Sequence, residues 1–222
     1  HDSVSAANAP GLCQDGRCLD EGLLRGLDVR LRALHNGRGT QLLVLHMLGN
    51  HGPSYFRRYP PAFERFTPVC RHDDLGRCTQ EEIVNAYDNA LLYTDHVLAT
   101  LIGTLTSHAG AVDSALLFVS DHGESLGEKN LFLHGVPYPI APKEQTQVPM
   151  VFWQSAGFAR SEGLNGDCLR ARARQPVQHD HLFHTVLALL DVKTSLYTPE
   201  LEYLLEQFET LVAIAAVENR RH

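Results

Sequence analysis

The stretch SALLFVSDHGE, residues 114–124, decides the reading of this chain. Ser114 to Ser120 is a short apolar run, the pattern of a strand buried on both faces of a sheet. Asp121, His122, Gly123 and Glu124 follow it at once. In open α/β sheets ligands bind beyond the strand ends, so an ionisable cluster at that place is a candidate site. Asp oxygen and His nitrogen are both natural zinc ligands, and Gly123 would let the backbone turn away behind them. An isolated Asp-His pair is more often an ordinary loop pair. Its position after a buried strand is what raises the functional reading.

Working outward, Gln41 to Leu48 (QLLVLHML) is a second apolar run of strand type, ending in His46 and then the turn Gly49-Asn50-His51-Gly52-Pro53. Val148 to Trp153 (VPMVFW) reads as a third strand. Helices are expected from about Asp20 to Leu34, with Leu23, Leu24, Leu27, Leu31 and Leu34 on one stripe, and from His181 to Leu190. A break is expected at residues 36–39. Thr79-Gln80-Glu81-Glu82 is a capping-box signature. It should open a long helix to about Ser107, with Ile83, Tyr87, Ala90, Leu91, Thr94, Leu98, Leu101 and Leu105 near the core. Strands alternating with helices imply an α/β domain with a mostly parallel sheet flanked by helices. Residues 54–78 form a long aromatic and Pro-rich loop, and loops of that length are usually functional or crosslinked. His51 and His134 each sit beside Gly in a loop. Such a His is more often a plain surface residue, and periodicity alone cannot show that the two loops converge.

The chain has 222 residues, 44% of them hydrophobic and 20% charged, enough for one substantial core. A net charge of −7 argues against a surface that tracks nucleic-acid phosphates, and 13 His residues invite a search for metal ligands. Cys13 and Cys18 flank a turn-like segment, as do Cys70 and Cys78. The short Gly- and Asp-bearing loops suit two local disulfides better than a zinc knuckle, which implies an oxidising compartment; the alternative is a set of free cytosolic thiols. Cys168 is left over, free or paired outside this chain. Residues 1–10 are polar, with no signal-peptide core and no initiator Met, and no apolar run is long enough to span a bilayer. Together these features suggest a fragment whose export segment lies elsewhere.

Four runs carry a family resemblance: LHMLGNHGPSYFRRYPPAFERFTPVC (45–70), CTQEEIVNAYDNALLYTDHVL (78–98), LFVSDHGESLGEKNLFLHGVPYPIAPKEQTQVPM (117–150) and HDHLFHTVLALLDV (179–192). The chain resembles the lipid A phosphoethanolamine transferases of polymyxin resistance, within the alkaline phosphatase and sulfatase superfamily. The resemblance covers roughly Cys13 to Leu196. It implies that Asp121 and His122 are ligands of a tightly held Zn2+, and that His51 and His134 bind a second zinc or the phosphoryl group and act as acid or base. Glu124, His46 and Ser125 would stand behind the ligands and orient them, with simple loop hydrogen bonding an equal alternative. It also implies phosphatidylethanolamine as donor, lipid A as acceptor, a monomer, and a place on the periplasmic face of the Gram-negative inner membrane.

The chain also departs from the family pattern. The family's nucleophile is a Thr upstream of the matched runs, and Thr40, Thr67 and Thr79 sit in other contexts. The zinc-completing Glu and the membrane anchor of the family are likewise unmatched. Residues 1–222 are therefore expected to be a single, partial catalytic domain lacking its first strands and nucleophile helix, inactive alone and with apolar sheet edge exposed. Residues 1–19 read as an irregular leading segment, and 204–222 as an apolar helical tail without assignment. Two alternatives stay open: another phosphodiester transferase or hydrolase of the superfamily, such as a phosphoglycerol transferase, or a non-catalytic metal-binding fragment. A sulfatase proper would need Cys or Ser in a C/S-x-P-x-R context, which is absent.

Overall fold

A computed structural model describes residues 3–35 and 39–204. Of the break expected at 36–39, residues 36–38 lie outside the described residues, as does the tail from residue 205 onward. The chain divides into two compact units. The first comprises 1–36, 44–108 and 116–153; the second comprises 37–43, 109–115 and 154–222.

In the first unit, strands β1 (Cys13–Gln14) and β2 (Arg17–Cys18) form a small antiparallel hairpin closed by the Cys13–Cys18 disulfide. The expected helix from Asp20 is split. A 3-10 turn, Asp20–Leu24, is followed by α1, Leu27–Leu34, because Gly26 adopts φ 74 between them. The left-handed backbone cannot be carried inside a helix, so the Leu stripe is interrupted and only Leu27 and Leu31 are buried in α1.

The first unit is organised by α2, Gln80–Ser107, 28 residues long. Its capping box is formed as the sequence predicts: Thr79 Oγ1 accepts the Glu82 N–H, and the Glu82 carboxylate accepts the Thr79 N–H at 2.7 Å. The Thr79 amide and, next, the Thr79 hydroxyl at 3.0 Å donate to the Glu82 carboxylate and hold it below its ordinary range. The buried face is Ile83, Ala86, Asn89, Ala90, Tyr93, Thr94, Val97, Leu101 and Leu105, while Leu91 is 48% exposed. The face is therefore turned about one position from the expected stripe, since Leu91 and Leu98 do not hold it and Tyr93 and Asn89 do.

Against this face lies the 54–78 loop. Tyr55, Cys70, Leu75, Ile83 and Ala86 form one cluster; Tyr59, Ala90, Tyr93 and Val97 form another, with Phe63 and Met47 packed on it. Cys70 and Cys78 are disulfide-bonded and pin the loop at the start of the helix. Asn89, fully buried, reads the loop backbone directly. Its Oδ1 accepts the Arg65 and Phe66 amides at 2.8 and 2.9 Å, and its Nδ2 donates to the Phe66 carbonyl at 2.9 Å. Asn89→Ala strands the Phe66 amide and carbonyl, each costing about 1–3 kcal/mol where water cannot replace the bond, while the Arg65 amide keeps the Phe63 carbonyl at 3.0 Å. The expected result is a loss of roughly 2–5 kcal/mol in denaturant unfolding, with earlier protease cleavage within 60–70. A loss below about 1 kcal/mol would show that the loop is held without Asn89.

Strand β3, Ala115–Val119, pairs with β6, Met150–Gln154, close to where both strands were expected. Ser155 N donates to Ser114 O at 2.8 Å and Ser120 N to Pro149 O at 3.4 Å, so the partner number falls as the strand advances and the pair is antiparallel. Between them come the antiparallel pair β4 (Ser125–Leu126) and β5 (Phe132–Leu133), then the short helix α3 (Lys143–Thr146). The segment from 120 to 149 holds no helix long enough for a parallel crossover, and the chain returns beside β3 instead.

The run 41–48 makes no ladder among the described residues, contrary to the strand expected there. A strand buried on both faces needs neighbours on its edges, and here none of the described strands supplies one. Leu42 and Val44 are 59% and 76% exposed. Its end is nevertheless fixed, because the Asp20 carboxylate accepts the Leu48 and Gly49 amides at 2.9 and 2.7 Å.

The second unit carries α4 (Ala156–Ser161), α5 (Gly166–Arg172) and α6 (Asp180–Leu189), the last close to its predicted span. Ser155 caps α4 and Asn165 caps α5. Cys168, on α5, is a half-buried free thiol. Among the described residues no helix is long and apolar enough to cross a membrane.

Candidate metal centre

Three loops of the first unit bring His51, His122 and His134 together. One ring nitrogen from each lies within 4.8 Å of the others. Ring centroids of His122 and His134 are 3.7 Å apart, and His51 lies 5.1 Å from His134 and 5.8 Å from His122.

Each ring is oriented through Nδ1. His51 Nδ1 faces the Gly52 carbonyl at 2.7 Å, and His122 Nδ1 faces the Gly123 carbonyl at 3.0 Å. His134 Nδ1 faces Glu124 Oε1 at 3.0 Å. A carbonyl and a carboxylate only accept, so each Nδ1 is the donor there and Nε2 is the ring nitrogen left to face a ligand. Three imidazoles, each with one nitrogen fixed by an acceptor, are an arrangement that first-row metals bind. The donor set fits a metal ion.

Asp121 is the exposed flank. Its Oδ1 accepts the His122 N–H at 3.1 Å and stands 3.9 Å from His122 Nε2. Two donors each about 2.0–2.2 Å from one cation are roughly 3–4 Å apart, so the pair can share an ion. Asp121 is not within the three-histidine group itself.

Glu124 joins the loops. It is buried, and it accepts the Gly52 N–H at 3.2 Å, the Tyr55 hydroxyl at 2.9 Å and His134 Nδ1–H. Burial, and next the negative charge of Glu124, push the Tyr55 phenol well above its ordinary value, so Tyr55 remains a donor. Tyr55 was not among the residues singled out from sequence. An aromatic in a long loop carries no local mark of such a role.

Two glycines are fixed by close approach. A Cβ at Gly52 would meet Leu133 Cδ2 at 2.5 Å and Tyr55 Oη at 2.7 Å; one at Gly123 would meet the Glu144 carbonyl oxygen at 2.1 Å. Gly123 is therefore required by the backbone beside it, and its own φ is not left-handed. Its N–H donates to Gln145 O at 3.0 Å. Ser125, fully buried, accepts Gln145 Nε2 at 2.9 Å and so secures α3 rather than a His ring. His46 is exposed and hydrogen-bonds to none of the described residues.

Comparison with known proteins places the chain among enzymes. A family model described as Sulfatase matches residues 2–192. The phosphoethanolamine transferase EptA of Escherichia coli K12 is 42% identical over 198 residues, covering 89% of this chain and 36% of that protein. The phosphatidylethanolamine transferase Mcr-1 of Escherichia coli is 45% identical over 175 residues, covering 79% of this chain and 30% of that protein. The chain thus spans about a third of the length of these relatives. Among solved structures, the soluble domain of lipooligosaccharide phosphoethanolamine transferase A from Neisseria meningitidis superposes with a TM-score of 0.85 at 39% identity, covering 93% of this chain and 61% of that one. The C-terminal periplasmic domain of phosphoethanolamine transferase EptC from Campylobacter jejuni gives 0.75 at 40% identity, covering 85% and 58%. The alkaline phosphatase and sulfatase-like architecture expected from the sequence is thereby shown.

Proposed function

The chain belongs to the sulfatase family, and from that premise we propose that it is the metal-binding part of a zinc-dependent transferase moving phosphoethanolamine from phosphatidylethanolamine to lipid A phosphates. The observation that carries this reading is the convergence of His51, His122 and His134, each with Nδ1 engaged by a carbonyl or carboxylate. Identity of 42% to a phosphoethanolamine transferase supports the substrate class.

In this reading Asp121 and His122 are the residues that hold zinc. A zinc ion, when bound, supplies Lewis acidity at the phosphoryl oxygens and favours ionisation of the attacking hydroxyl. His51 and His134 face the phosphoryl group or a second ion. Their Nε2 atoms are the ones able to take or give a proton, since Nδ1 is already committed. Glu124 holds His134 in that tautomer. The transfer runs in two steps: the P–O bond to diacylglycerol breaks as an enzyme hydroxyl takes the phosphoethanolamine, and a lipid A phosphate then displaces it. Thr40, Thr67 and Thr79 do not match the nucleophile context, so residues 1–222 alone are proposed to be inactive. The added primary amine lowers the anionic charge that cationic polymyxins bind, and the natural setting is the periplasmic face of the inner membrane.

The test uses the full-length protein with phosphatidylethanolamine and lipid A in mixed micelles, read by mass spectrometry. Lipid A heavier by one phosphoethanolamine, with diacylglycerol released, is the expected result. Transfer of glycerol phosphate instead, or free phosphoethanolamine with unmodified lipid A, would replace this reading by another reaction of the superfamily.

A further inference from the structure

A carboxylate that the reaction as described does not use holds the His51 loop. Asp20 opens the 3-10 turn Asp20–Leu24, just after the disulfide-closed hairpin. Its two oxygens accept the Leu48 and Gly49 amides at 2.9 and 2.7 Å. Those amides belong to the tight turn 48–51, in which the His51 N–H donates to the Leu48 carbonyl at 3.2 Å and Gly49 adopts φ 52. Asp20 therefore grips the first half of a turn whose last residue is a member of the histidine cluster.

The grip matters because of how His51 is held. Its Nδ1 faces the carbonyl of its own neighbour, Gly52, at 2.7 Å, whereas the His134 ring is held by the carboxylate of Glu124, ten residues away. A ring tied to the next peptide goes where its backbone goes, so placing His51 amounts to placing the turn. Upstream, residues 41–47 make no ladder among the described residues, and the Leu48 and Gly49 amides are the first backbone donors of this run to be fixed. Further along, the Thr94 hydroxyl donates to Asn50 Oδ1 at 2.9 Å, Asn50 Nδ2 to the Tyr87 carbonyl at 3.1 Å, and Arg58 Nε to the His51 carbonyl at 2.8 Å. Asp20 is itself well seated. Leu19 and Leu24, on either side of it, pack on the Tyr59, Ala90, Tyr93 and Val97 cluster of α2, as does Met47. The Tyr93 hydroxyl donates to Glu21 at 3.3 Å, and a Cβ at Gly22 would meet Val4 Cγ1 at 2.6 Å.

We propose that Asp20 is a positioning residue for His51: its carboxylate, seated on α2, fixes the turn that carries the His51 ring to His122 and His134. Backbone N–H bonds to a carboxylate are roughly twice as strong as neutral ones, and a forked acceptor fixes two successive amides together. The leading segment, irregular in sequence, thereby becomes part of the scaffold of the histidine cluster. The consequence for metal affinity rests on the metal reading above; the placement of the ring does not.

Two measurements test it, in wild type, Asp20→Ala and Asp20→Asn. Asparagine keeps one oxygen for one amide and sets an NH2 group against the other, so it disturbs the turn with less risk to folding than alanine. The first measurement is proton cross-relaxation between histidine rings in the metal-free chain. The wild type should show the His51–His134 contact, whose ring centroids are 5.1 Å apart, and the His122–His134 contact at 3.7 Å. In Asp20→Asn the first should weaken several-fold while the second persists, a split that general loss of stability does not produce. An unchanged His51–His134 contact overturns the proposal. Equal weakening of both contacts in Asp20→Asn rejects it too, because Asp20 would then support the fold at large. The second measurement is zinc titration of the same chains, where Asp20→Asn should bind about ten-fold more weakly. Equal zinc affinity with a weakened His51 contact would reject the link to metal binding. A wild-type chain that takes up no zinc would sink the metal reading, while the ring contacts still decide the placement.

Discussion

Metal bound by the His122→Ala chain is expected to fall to background, while the wild-type chain holds it stoichiometrically. The argument rests on donor count. His51, His122 and His134 present ligand nitrogens within 4.8 Å of one another, and Asp121 adds a carboxylate oxygen 3.9 Å from His122 Nε2. His122 is the member that stands next to both. Apparent binding free energies of about 10–16 kcal/mol for four-ligand zinc sites amount to roughly 3 kcal/mol for each ligand, a factor of order 100 in affinity. Loss of His122 also frees Asp121 from the partner with which it can share an ion. Asp121→Ala should be milder, because the three rings persist. Elemental analysis after dialysis against metal-free buffer checks both. Full metal retention in His122→Ala would remove the ring cluster from consideration as the principal site and leave the family likeness as the only support for metal chemistry.

The sequence made part of this legible and hid part of it, for identifiable reasons. Local signals survived translation into structure. The Thr79/Glu82 box starts α2 where it should, and two Gly-flanked histidines do meet the Asp121-His122 strand end. The misread features were those whose cause lies elsewhere in the chain. Asn89 is buried because loop amides 23 and 24 residues away need an acceptor, and an apolar count along α2 cannot register that. Gly26 divides the first helix through its own φ, against a Leu pattern that ran straight across it. Gln41–Leu48 has the composition of an inner strand, yet a ladder requires neighbours, and composition does not provide them. At the site, the histidines were visible as types and places, whereas their convergence depends on Tyr55 and Glu124, 69 residues apart.

That dependence makes Glu124→Leu the most damaging single change expected in this domain, and Glu124→Gln the informative one. The carboxylate receives a backbone amide from the His51 loop, the Tyr55 hydroxyl from the 54–78 loop and the His134 ring, all at a side chain only 4% exposed. Leucine would leave those donors facing hydrocarbon. At about 1–3 kcal/mol for each stranded donor, the expected loss is roughly 3–6 kcal/mol, a fall of about 10 °C or more in Tm for a domain of this size. Glutamine retains one carbonyl oxygen for Gly52 and His134, and its NH2 meets a Tyr55 hydroxyl that can rotate to accept. Stability should therefore drop by only about 1–2 kcal/mol. Metal affinity should fall further than that drop suggests, about 10- to 100-fold, because the negative charge that makes the His134 ring a better ligand is gone. Thermal unfolding of the metal-free variants, run beside metal titration, separates the two effects. If leucine costs no more than glutamine, the three donors find other partners and Glu124 does not hold the loops together. If glutamine leaves metal affinity unchanged, the carboxylate anchors the fold alone, and the tuning of His134 must be withdrawn.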